Sequence, residues 1–349
     1  MVPAWGFFHK QGRHMPDYFS RYEYCSHYWI GNLIGCALLI AGLGLPVQKA
    51  HAHQHDMMTA EQMYQALNWD FASAEVTVEK VGPSLYVLFG VGGNIAVSVG
   101  EDGVLIVDDQ FPQMIPKVSA AIEGLGGEGV DYVVNSHWHF DHAEGNLVLG
   151  NKGASIISQT NSRVMNTQDQ VINLVGIGRY KQEAYPAHAL ADITFDESMQ
   201  LHFNGERVDL LHYGPAHTSG DAATVFRGNN AVHFGDVFNA GYPFIDVDNG
   251  GSLSGMIEFC SQVLAQISAD TTVIPGHGPV STYADLQSYI VMLTTVRDRI
   301  AALIAKGKSL QEVIEAAPTK EFDEQFGSPA QLLDRGYYSL GGKPAGGSG

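Results

Sequence analysis

Asn135-Ser136-His137-Trp138-His139-Phe140-Asp141-His142 brings three imidazoles and one carboxylate together within six residues. The apolar run Tyr132-Val133-Val134 comes directly before it, which indicates a buried strand that ends at this cluster. A strand that ends in several ligand-type side chains delivers them to one point, as a metal site requires. Trp138 and Phe140 are interpreted as packing residues without a chemical role.

Three later residues complete the candidate ligand set. They are His217 in Gly214-Pro215-Ala216-His217-Thr218, Asp236 in Phe234-Gly235-Asp236-Val237, and His277 in Pro275-Gly276-His277-Gly278. Each comes where an apolar strand is predicted to stop and Gly-rich backbone begins, and such chain ends gather at one rim of a sheet. Four other histidines lack this context and are interpreted as ordinary polar or half-buried residues: His188, His202, His212 and His233.

Residues 1–52 differ in composition from the rest of the chain. A polar opening leads into the apolar run from Ile34 to Val47, and Ala50-His51-Ala52 has the small-x-small pattern of a signal-peptidase site. The apolar core is shorter than the roughly 20 residues that a membrane span needs. We therefore predict a signal peptide cleaved near Ala52, export to the periplasm or the exterior, and no stable membrane association afterwards. The competing interpretation is an uncleaved anchor.

The charge of the predicted mature chain limits its partners. Removing residues 1–52 takes away four of 19 basic and two of 37 acidic side chains, which leaves a net charge of −20. So acidic a chain repels phosphate backbones, which argues against a nucleic-acid partner and for a small-molecule substrate. Cys260 is the only cysteine after Cys36, so the mature chain has no internal disulfide, and we expect Cys260 to pack inside a helix.

The order of predicted elements indicates the fold class. Strands predominate in two series, Val76–Val107 and Ile193–Phe234, and each series is followed by helices, of which Tyr283–Lys306 is the longest. Val171–Ala191 has weak periodicity and is predicted as a loop or short helices near the site. Strands first and helices after, twice over, predict two sheets packed face to face with helices outside. The predicted boundaries are a signal peptide over 1–52, an N-terminal extension over 53–74, a catalytic domain over 75–340 and a disordered Gly-rich tail over 341–349.

The order His-x-His-x-Asp-His, a lone His, an Asp and a final His resembles the metallo-β-lactamase superfamily, over roughly Val76 to Ile300. The resemblance implies an α/β fold of the αββα sandwich type, in which two mixed sheets face each other and a dinuclear metal site lies in the groove at one edge. Carried over residue by residue, it implies that the first metal is bound by His137, His139 and His217, the second by Asp141, His142 and His277, and that Asp236 bridges them.

The resemblance also implies the chemistry. Imidazoles and carboxylates without a thiolate suit zinc, two ions per chain, and leave iron or manganese open. Two such ions would lower the pKa of a bridging water, so that hydroxide attacks a carbonyl carbon near neutral pH. Asp141 is expected to orient this nucleophile or to pass a proton on. The sequence thus resembles a metal-dependent hydrolase that needs no Ser or Cys nucleophile.

The sequence leaves the substrate open among β-lactams, lactones and thioesters. Asp236 stands where the best-known zinc β-lactamases have a Cys ligand, and Asn239 where many of them carry a Lys. Export nevertheless favours a β-lactamase-like activity over a glyoxalase-II-like thioesterase, which uses cytosolic glutathione. The same residues also suit a lactonase, a mononuclear-iron persulfide dioxygenase or a non-catalytic metal-binding module.

Contacts to the substrate are predicted from position alone. Four residues that follow the bridging Asp in the sequence are expected to line the substrate pocket: Asn239, Tyr242, Phe244 and Asn249. Arg179 and Lys181 lie in the irregular middle segment and are the candidate cationic contacts for an anionic substrate. The oligomeric state is not indicated by the sequence.

Overall fold

The computed structural model of the protein describes residues 57–343. The predicted signal peptide with its cleavage site at Ala52, the first four residues of the predicted extension and residues 344–349 of the predicted tail lie outside the described residues. Within the described range, no helix combines the length and the apolar character needed to cross a membrane.

Residues 57–343 form sixteen strands. In chain order they are β1 (Met57–Met58), β2 (Thr77–Lys80), β3 (Leu85–Phe89), β4 (Ile95–Gly100), β5 (Gly103–Val107), β6 (Tyr132–Asn135), β7 (Ser155–Gln159), β8 (Gln170–Leu174), β9 (Gly178–Gln182), β10 (Ile193–Phe195), β11 (Ser198–Phe203), β12 (Glu206–Leu211), β13 (Ala223–Phe226), β14 (Ala231–His233), β15 (Thr272–Ile274) and β16 (Ser281–Thr282).

The helices range from single turns to one long helix near the carboxyl end. In chain order they are α1 (Ala60–Ala66), α2 (Ile115–Gly124), α3 (Phe140–Ala143), α4 (Asn146–Leu149), α5 (Thr160–Asn166), α6 (Leu253–Leu264), α7 (Tyr283–Ala305), α8 (Leu310–Glu315), α9 (Asp323–Phe326) and α10 (Ala330–Ser339). The long helix begins with a capping box, in which the side chains of Thr282 and Asp285 each accept from the backbone N–H of the other.

Two mixed sheets form the centre of the fold. The first has the strand order β10-β7-β6-β5-β4-β3-β2 and the second the order β11-β12-β13-β14-β15-β16. In the first sheet, β5, β6, β7 and β10 pair in parallel and the remaining neighbours pair antiparallel. In the second sheet, only the β14–β15 pair of the described strands is parallel.

The side-chain alternation of β5 shows how the layers pack. Leu105 and Val107 belong to the apolar cluster between the two sheets, whereas Val104 and Ile106 face the opposite way, toward α2. A strand buried on both faces needs such a continuous apolar run. Beyond the second sheet, α6, α7 and α10 bury their apolar faces in a further cluster, and Cys260 of α6 lies buried within it as predicted. The αββα sandwich expected from the sequence is therefore confirmed.

The prediction of a loop or short helices for Val171–Ala191 is confirmed for residues 183–191, which include one 3-10 turn at Ala187–Ala189, but it was wrong for residues 171–182. β8 and β9 form an antiparallel hairpin in this segment, and β9 also pairs in parallel with β1 to make a further small sheet. Ile172 and Tyr180 are opposite each other and buried, and a turn at Gly176 joins the strands with a φ of 79°. Each strand has only one buried apolar residue, and the apolar residues of β8 (Val171, Ile172 and Leu174) do not alternate strictly, so no period of two identified the strands.

Residues 57–74 pack onto the outer face of the first sheet. The rings of Tyr64, Trp69 and Phe71 meet Phe111, at centroid distances of 5.7, 5.1 and 5.0 Å. Trp69 also lies 6.2 Å from Phe140, which stands between two candidate ligands. The described part of the predicted extension thus contacts the reverse side of the segment that carries the site.

Candidate metal centre

One loop at the carboxyl end of β6 presents four of the predicted ligands. The strand ends at Asn135, and the chain then passes through His137 and His139 into the single turn of α3. Asn135 and Asn146 hold the two ends of this loop together through reciprocal amide hydrogen bonds of 2.8 and 3.3 Å. Trp138 and Phe140 are buried, at 0% and 4% exposure, which confirms their interpretation as packing residues.

The other three predicted ligands come from loops of the second sheet. His217 lies between β12 and β13, Asp236 in a single 3-10 turn after β14, and His277 directly after β15. Asp221 fixes the first of these loops, since its Oδ2 accepts from the N–H groups of Ala216 and Thr218 at 3.2 and 2.9 Å. The facing sheets therefore deliver ligands from both sides to one edge of the sandwich.

The ligand atoms converge into overlapping groups. Atoms of His137, His139 and His217 lie within 4.8 Å of one another, as do those of His137, His142 and Asp236 and those of Asp141, His142 and His277. The shortest approaches are 2.9 Å from His217 Nε2 to His139 Nδ1 and 3.1 Å from His142 Nε2 to His277 Nε2.

Asp236, for which the resemblance implies a bridging role, belongs to one of these groups and lies close to ligand atoms of the other two. Its Oδ1 is 3.2 Å from His142 Nε2 and 3.4 Å from His277 Nε2, and its Oδ2 is 3.7 Å from His217 Nε2. Gly276 makes this approach possible, because a Cβ at that position would collide with Asp236 Oδ1. One carboxylate thus presents an oxygen to each side of the cluster.

Hydrogen bonds on the far side of each ring determine which nitrogen faces the cluster. Asp108 Oδ2 accepts from His142 Nδ1 at 2.7 Å and from Ser136 Oγ at 2.7 Å. Because the Ser136 hydroxyl donates to Asp108, its oxygen accepts from His137 Nδ1 at 3.0 Å. Nε2 of each imidazole then faces the cluster, and it is the nitrogen that would bind a metal once it is free of a proton.

The remaining rings of the first group are oriented in the same way. His217 Nδ1 donates to the backbone oxygen of Phe244 at 2.8 Å, which leaves Nε2 facing the cluster. His139 is turned the other way round, with Nε2 donating to Asp246 Oδ2 at 2.9 Å and Nδ1 facing His217. A buried hydrogen-bond acceptor behind the ring is the usual device for fixing a metal-binding histidine.

The electrostatics of the cluster suit cations. Burial and the neighbouring His142 hold the pKa of His137 well below its usual range, so this ring is neutral. Burial alone would raise the pKa of Asp236, but the nearby His277 and His142 hold it well below its ordinary value. Burial would lower the pKa of His277, whereas Asp236 and Asp141 raise it to about 9.

One buried nitrogen shows that these residues fit a divalent metal. His137 Nε2 is buried and has no hydrogen-bond partner, although an orphaned buried polar atom is costly. It points among imidazole and carboxylate atoms that share the same small space, and N/O donors of this kind suit zinc. A cation held there would satisfy the orphaned nitrogen and offset the mutual repulsion of the carboxylates.

The predicted substrate residues have other contacts. Asn239 Oδ1 accepts from the N–H of His277 at 2.8 Å, so its side chain supports the ligand loop. The hydroxyl of Tyr242 meets Asp323 Oδ1 at 2.9 Å, in α9, and its pKa is raised by burial and by that carboxylate. Lys181 pairs with Asp169 at 2.6 Å on the exposed face of the hairpin. Their predicted roles in substrate binding stay predictions.

Sequence reasoning missed Asp108 and Asp246. Asp108 follows the apolar run of β5 directly, in the same way that His137 follows β6, so the position at a strand end was an available signal. Its φ of 65° is uncommon for a residue other than glycine and directs both carboxylate oxygens toward the ligand loop. Asp246 lies in an irregular loop and offers no comparable signal.

Comparisons with known proteins identify the family of the chain. A sequence model of the metallo-β-lactamase superfamily matches residues 89–277, which is more than half of the chain. The chain therefore belongs to the metallo-β-lactamase superfamily. It is a hydrolase of that superfamily, with a cluster of His and Asp residues that could bind metal. A search of curated protein sequences gives no significant match.

Solved structures of low sequence identity share the fold. The DIM-1 metallo-β-lactamase is 18% identical, with a TM-score of 0.51 over 63% of this chain and 98% of its own. A metallo-β-lactamase from Pontibacter korlensis is 13% identical, with a TM-score of 0.52 over 63% of this chain and 99% of its own. A double mutant of the sec-alkyl sulfatase PisA1 is 14% identical, with a TM-score of 0.60 over 82% of this chain and 53% of its own.

Proposed function

We propose that this chain is an exported dinuclear-zinc hydrolase that cleaves a β-lactam or a related carbonyl bond. The observation that carries the proposal is the convergence of all seven predicted ligands on one cluster, with Asp236 between its two sides. His137, His139 and His217 would hold one ion, and Asp141, His142 and His277 the other. When bound, two zinc ions supply hydroxide near neutral pH and polarise the bond that is attacked.

The exposure of the cluster indicates where the substrate enters. The side chain of His277 is 35% exposed and that of Asp141 12%, whereas those of His142 and His217 are at most 1% exposed. Asp141 Oδ2 lies 3.2 Å from His277 Nε2, at this open side. Asp141 would therefore orient an attacking water and hold its proton for the leaving group.

Phe244 provides an apolar wall beside the first group of candidate ligands. Its half-buried ring lies 6.2 Å from that of His139 and 5.8 Å from that of His217. An apolar wall next to polar catalytic groups is the common composition of a small-molecule site. Such a wall would pack against the carbon skeleton of a β-lactam or an acyl lactone while the reacting bond faces the His and Asp side chains.

The β-lactam is favoured among the possible substrates. Two metallo-β-lactamases align over nearly their whole length, and the predicted export would bring the enzyme to antibiotics outside the cytosol. A lactonase or a glyoxalase-II-like thioesterase would use the same cluster. Secondary alkyl sulfates form a further candidate class, because the sec-alkyl sulfatase aligns with a larger share of this chain.

A substrate panel tests the proposal. Purified zinc-loaded protein would be assayed with a chromogenic cephalosporin, an acyl lactone, an acyl thioester and a secondary alkyl sulfate. We expect cephalosporin hydrolysis that is lost with a chelator and restored by zinc. His139→Ala should lower it by at least about 100-fold, because loss of a ligand exceeds the effect of a residue that only orients one. His202→Ala, which changes an exposed histidine of β11, is the matched control.

Metal analysis and the substrate panel separate the competing functions. One iron per chain with oxygen consumption on a persulfide would replace the hydrolase proposal by a dioxygenase. Hydrolysis of another panel member without cephalosporin turnover would change only the proposed substrate and leave the proposed hydrolase in place.

Amino-terminal sequencing of the protein from the periplasmic fraction tests export. We expect a chain that begins at His53.

A further inference from the structure

One short segment, Phe244–Asn249, contacts two ligands of the first group from behind. The backbone oxygen of Phe244 accepts from His217 Nδ1 at 2.8 Å, and Asp246 Oδ2 accepts from His139 Nε2 at 2.9 Å. The opposite nitrogens of these two rings face each other across 2.9 Å within the cluster. This segment, named here the 244–249 support, therefore fixes the orientation of both imidazoles.

Asp246 is itself held rigidly. Asp246 is 1% exposed. Its backbone N–H donates to the backbone oxygen of His217 at 2.9 Å, and its backbone oxygen accepts from the N–H of Gly251 at 2.8 Å. Asn249 Nδ2 lies 3.0 and 2.9 Å from the two carboxylate oxygens of Asp246 and 3.0 Å from the backbone oxygen of Val171 in β8. A continuous chain of hydrogen bonds thus runs from the hairpin through Asn249 and Asp246 to His139.

The chemistry of this contact determines the tautomer of His139. An ionised carboxylate only accepts hydrogen bonds, so Asp246 requires the proton on Nε2 and leaves Nδ1 free to bind a cation. A buried imidazole without such an acceptor would rotate or would carry its proton on Nδ1. Either change would remove the ring from the first group.

We propose that Asp246, held by Asn249, is the positioning residue for His139 and thereby sets the affinity of the first metal group for zinc. The proposal rests on the proposed metal site and deepens it. It also assigns Asn249 a role in support of a ligand, in place of the predicted contact with substrate.

The second group has separate supports, which makes the effect selective. His142 is oriented by Asp108 at 2.7 Å, and the backbone of His277 by Asn239 at 2.8 Å. Neither contact involves the 244–249 support. Changes at Asp246 should therefore act on the first zinc ion and leave the second nearly unaffected.

Asp246→Asn and Asp248→Asn form a matched pair for the test. Asp248 belongs to the same segment, but its side chain is 54% exposed and pairs with Arg335 instead of a ligand. Each metal-free protein would be titrated with zinc against a chromophoric chelator to obtain two dissociation constants. Asp246→Asn should weaken the first zinc ion by about 10- to 100-fold, as is typical for a residue that orients a metal ligand. Asp248→Asn should change neither constant.

A second readout needs no metal. Nitrogen-15 NMR of the metal-free wild-type protein should show His139 protonated on Nε2, and Asp246→Asn should show a mixture of tautomers or protonation on Nδ1. Asn249→Ala retains the charge of Asp246 and should weaken the first zinc ion by a smaller factor. This variant tests the same chain of contacts if Asp246→Asn does not fold.

The outcomes distinguish this inference from the proposed function. If the wild-type protein binds fewer than two zinc ions, the dinuclear function fails. If it binds two and Asp246→Asn, or Asn249→Ala in its place, retains both affinities, the positioning role is overturned while the function stands. Equal weakening at both ions would also overturn it, because it would indicate general support of the fold.

Discussion

Asn94 joins the two sheets beside the site, and its removal should release the turn that carries His277. Its Nδ2 donates to the backbone oxygens of Pro275 and Gly278 at 2.9 and 2.8 Å, on either side of His277. Asn94→Ala would leave the backbone oxygens of Pro275 and Gly278 without this hydrogen-bond donor. Each such loss costs about 1–2 kcal/mol, so we expect the free energy of unfolding to fall by roughly 2–4 kcal/mol.

The same substitution should weaken metal binding, because the His277 turn loses its restraint. Asn229→Ala is the matched control, since Asn229 also bridges the sheets but meets Ser84 at the end of β3 that is remote from the site. Urea unfolding of the metal-free proteins should show both variants destabilised. Zinc titration should show weaker binding of the second ion only in Asn94→Ala. Equal zinc affinities in the two variants would refute this reasoning.

Three further changes test other contacts. Gly93→Ala would place a Cβ against the ring of His142, and overpacking of about 1–3 kcal/mol should weaken the second zinc ion by about tenfold or more in a calorimetric titration. Lys117 donates to the carbonyl oxygens of Phe71, Ala72 and Ala74, so Lys117→Met should speed proteolytic cleavage within residues 57–74. The pKa of His277 is raised to about 9 in the metal-free protein, so zinc must displace the proton of His277 below that pH. The affinity of the protein for zinc should therefore fall as the pH drops from 9 to 6. Calorimetry in buffers of different ionisation enthalpy should detect the release of this proton.

The convergence of the seven candidate ligands was predictable because metal chemistry restricts residue types strongly. Four ligand-type side chains within six residues after a buried strand have no common structural explanation, and His217, Asp236 and His277 each follow an apolar strand of the second sheet. The sandwich was predictable for a related reason. A strand such as β5, apolar on both faces, must be covered on both sides.

The supports of the ligands were not predictable from one sequence. Asp246 reaches His139 across 107 positions of the chain, and Asn94 reaches Gly278 across 184. Such contacts depend on how loops from two sheets meet, and a lone Asp or Asn in a loop is far more often a turn residue. The hairpin at 170–182 escaped prediction because the apolar residues of β8 do not alternate strictly and β9 has a single apolar side chain, Tyr180.

The substrate is determined by loops that vary within one fold, so neither the fold nor the ligands identify it. Phe244 illustrates the difficulty. Its backbone oxygen orients His217, a role that any residue could fill, whereas its ring lies 5.8 Å from that of His217. The sequence suggests Phe244 as a pocket residue only because it follows Asp236, and that position alone identifies no substrate.

Anomalous diffraction from crystals of the zinc-loaded protein tests the central claim most directly. We expect two zinc peaks about 3.5–4 Å apart. One should lie among His137, His139 and His217, the other among Asp141, His142 and His277, with Asp236 between them. A single peak, an iron signal in place of zinc, or zinc bound away from these residues would contradict the account.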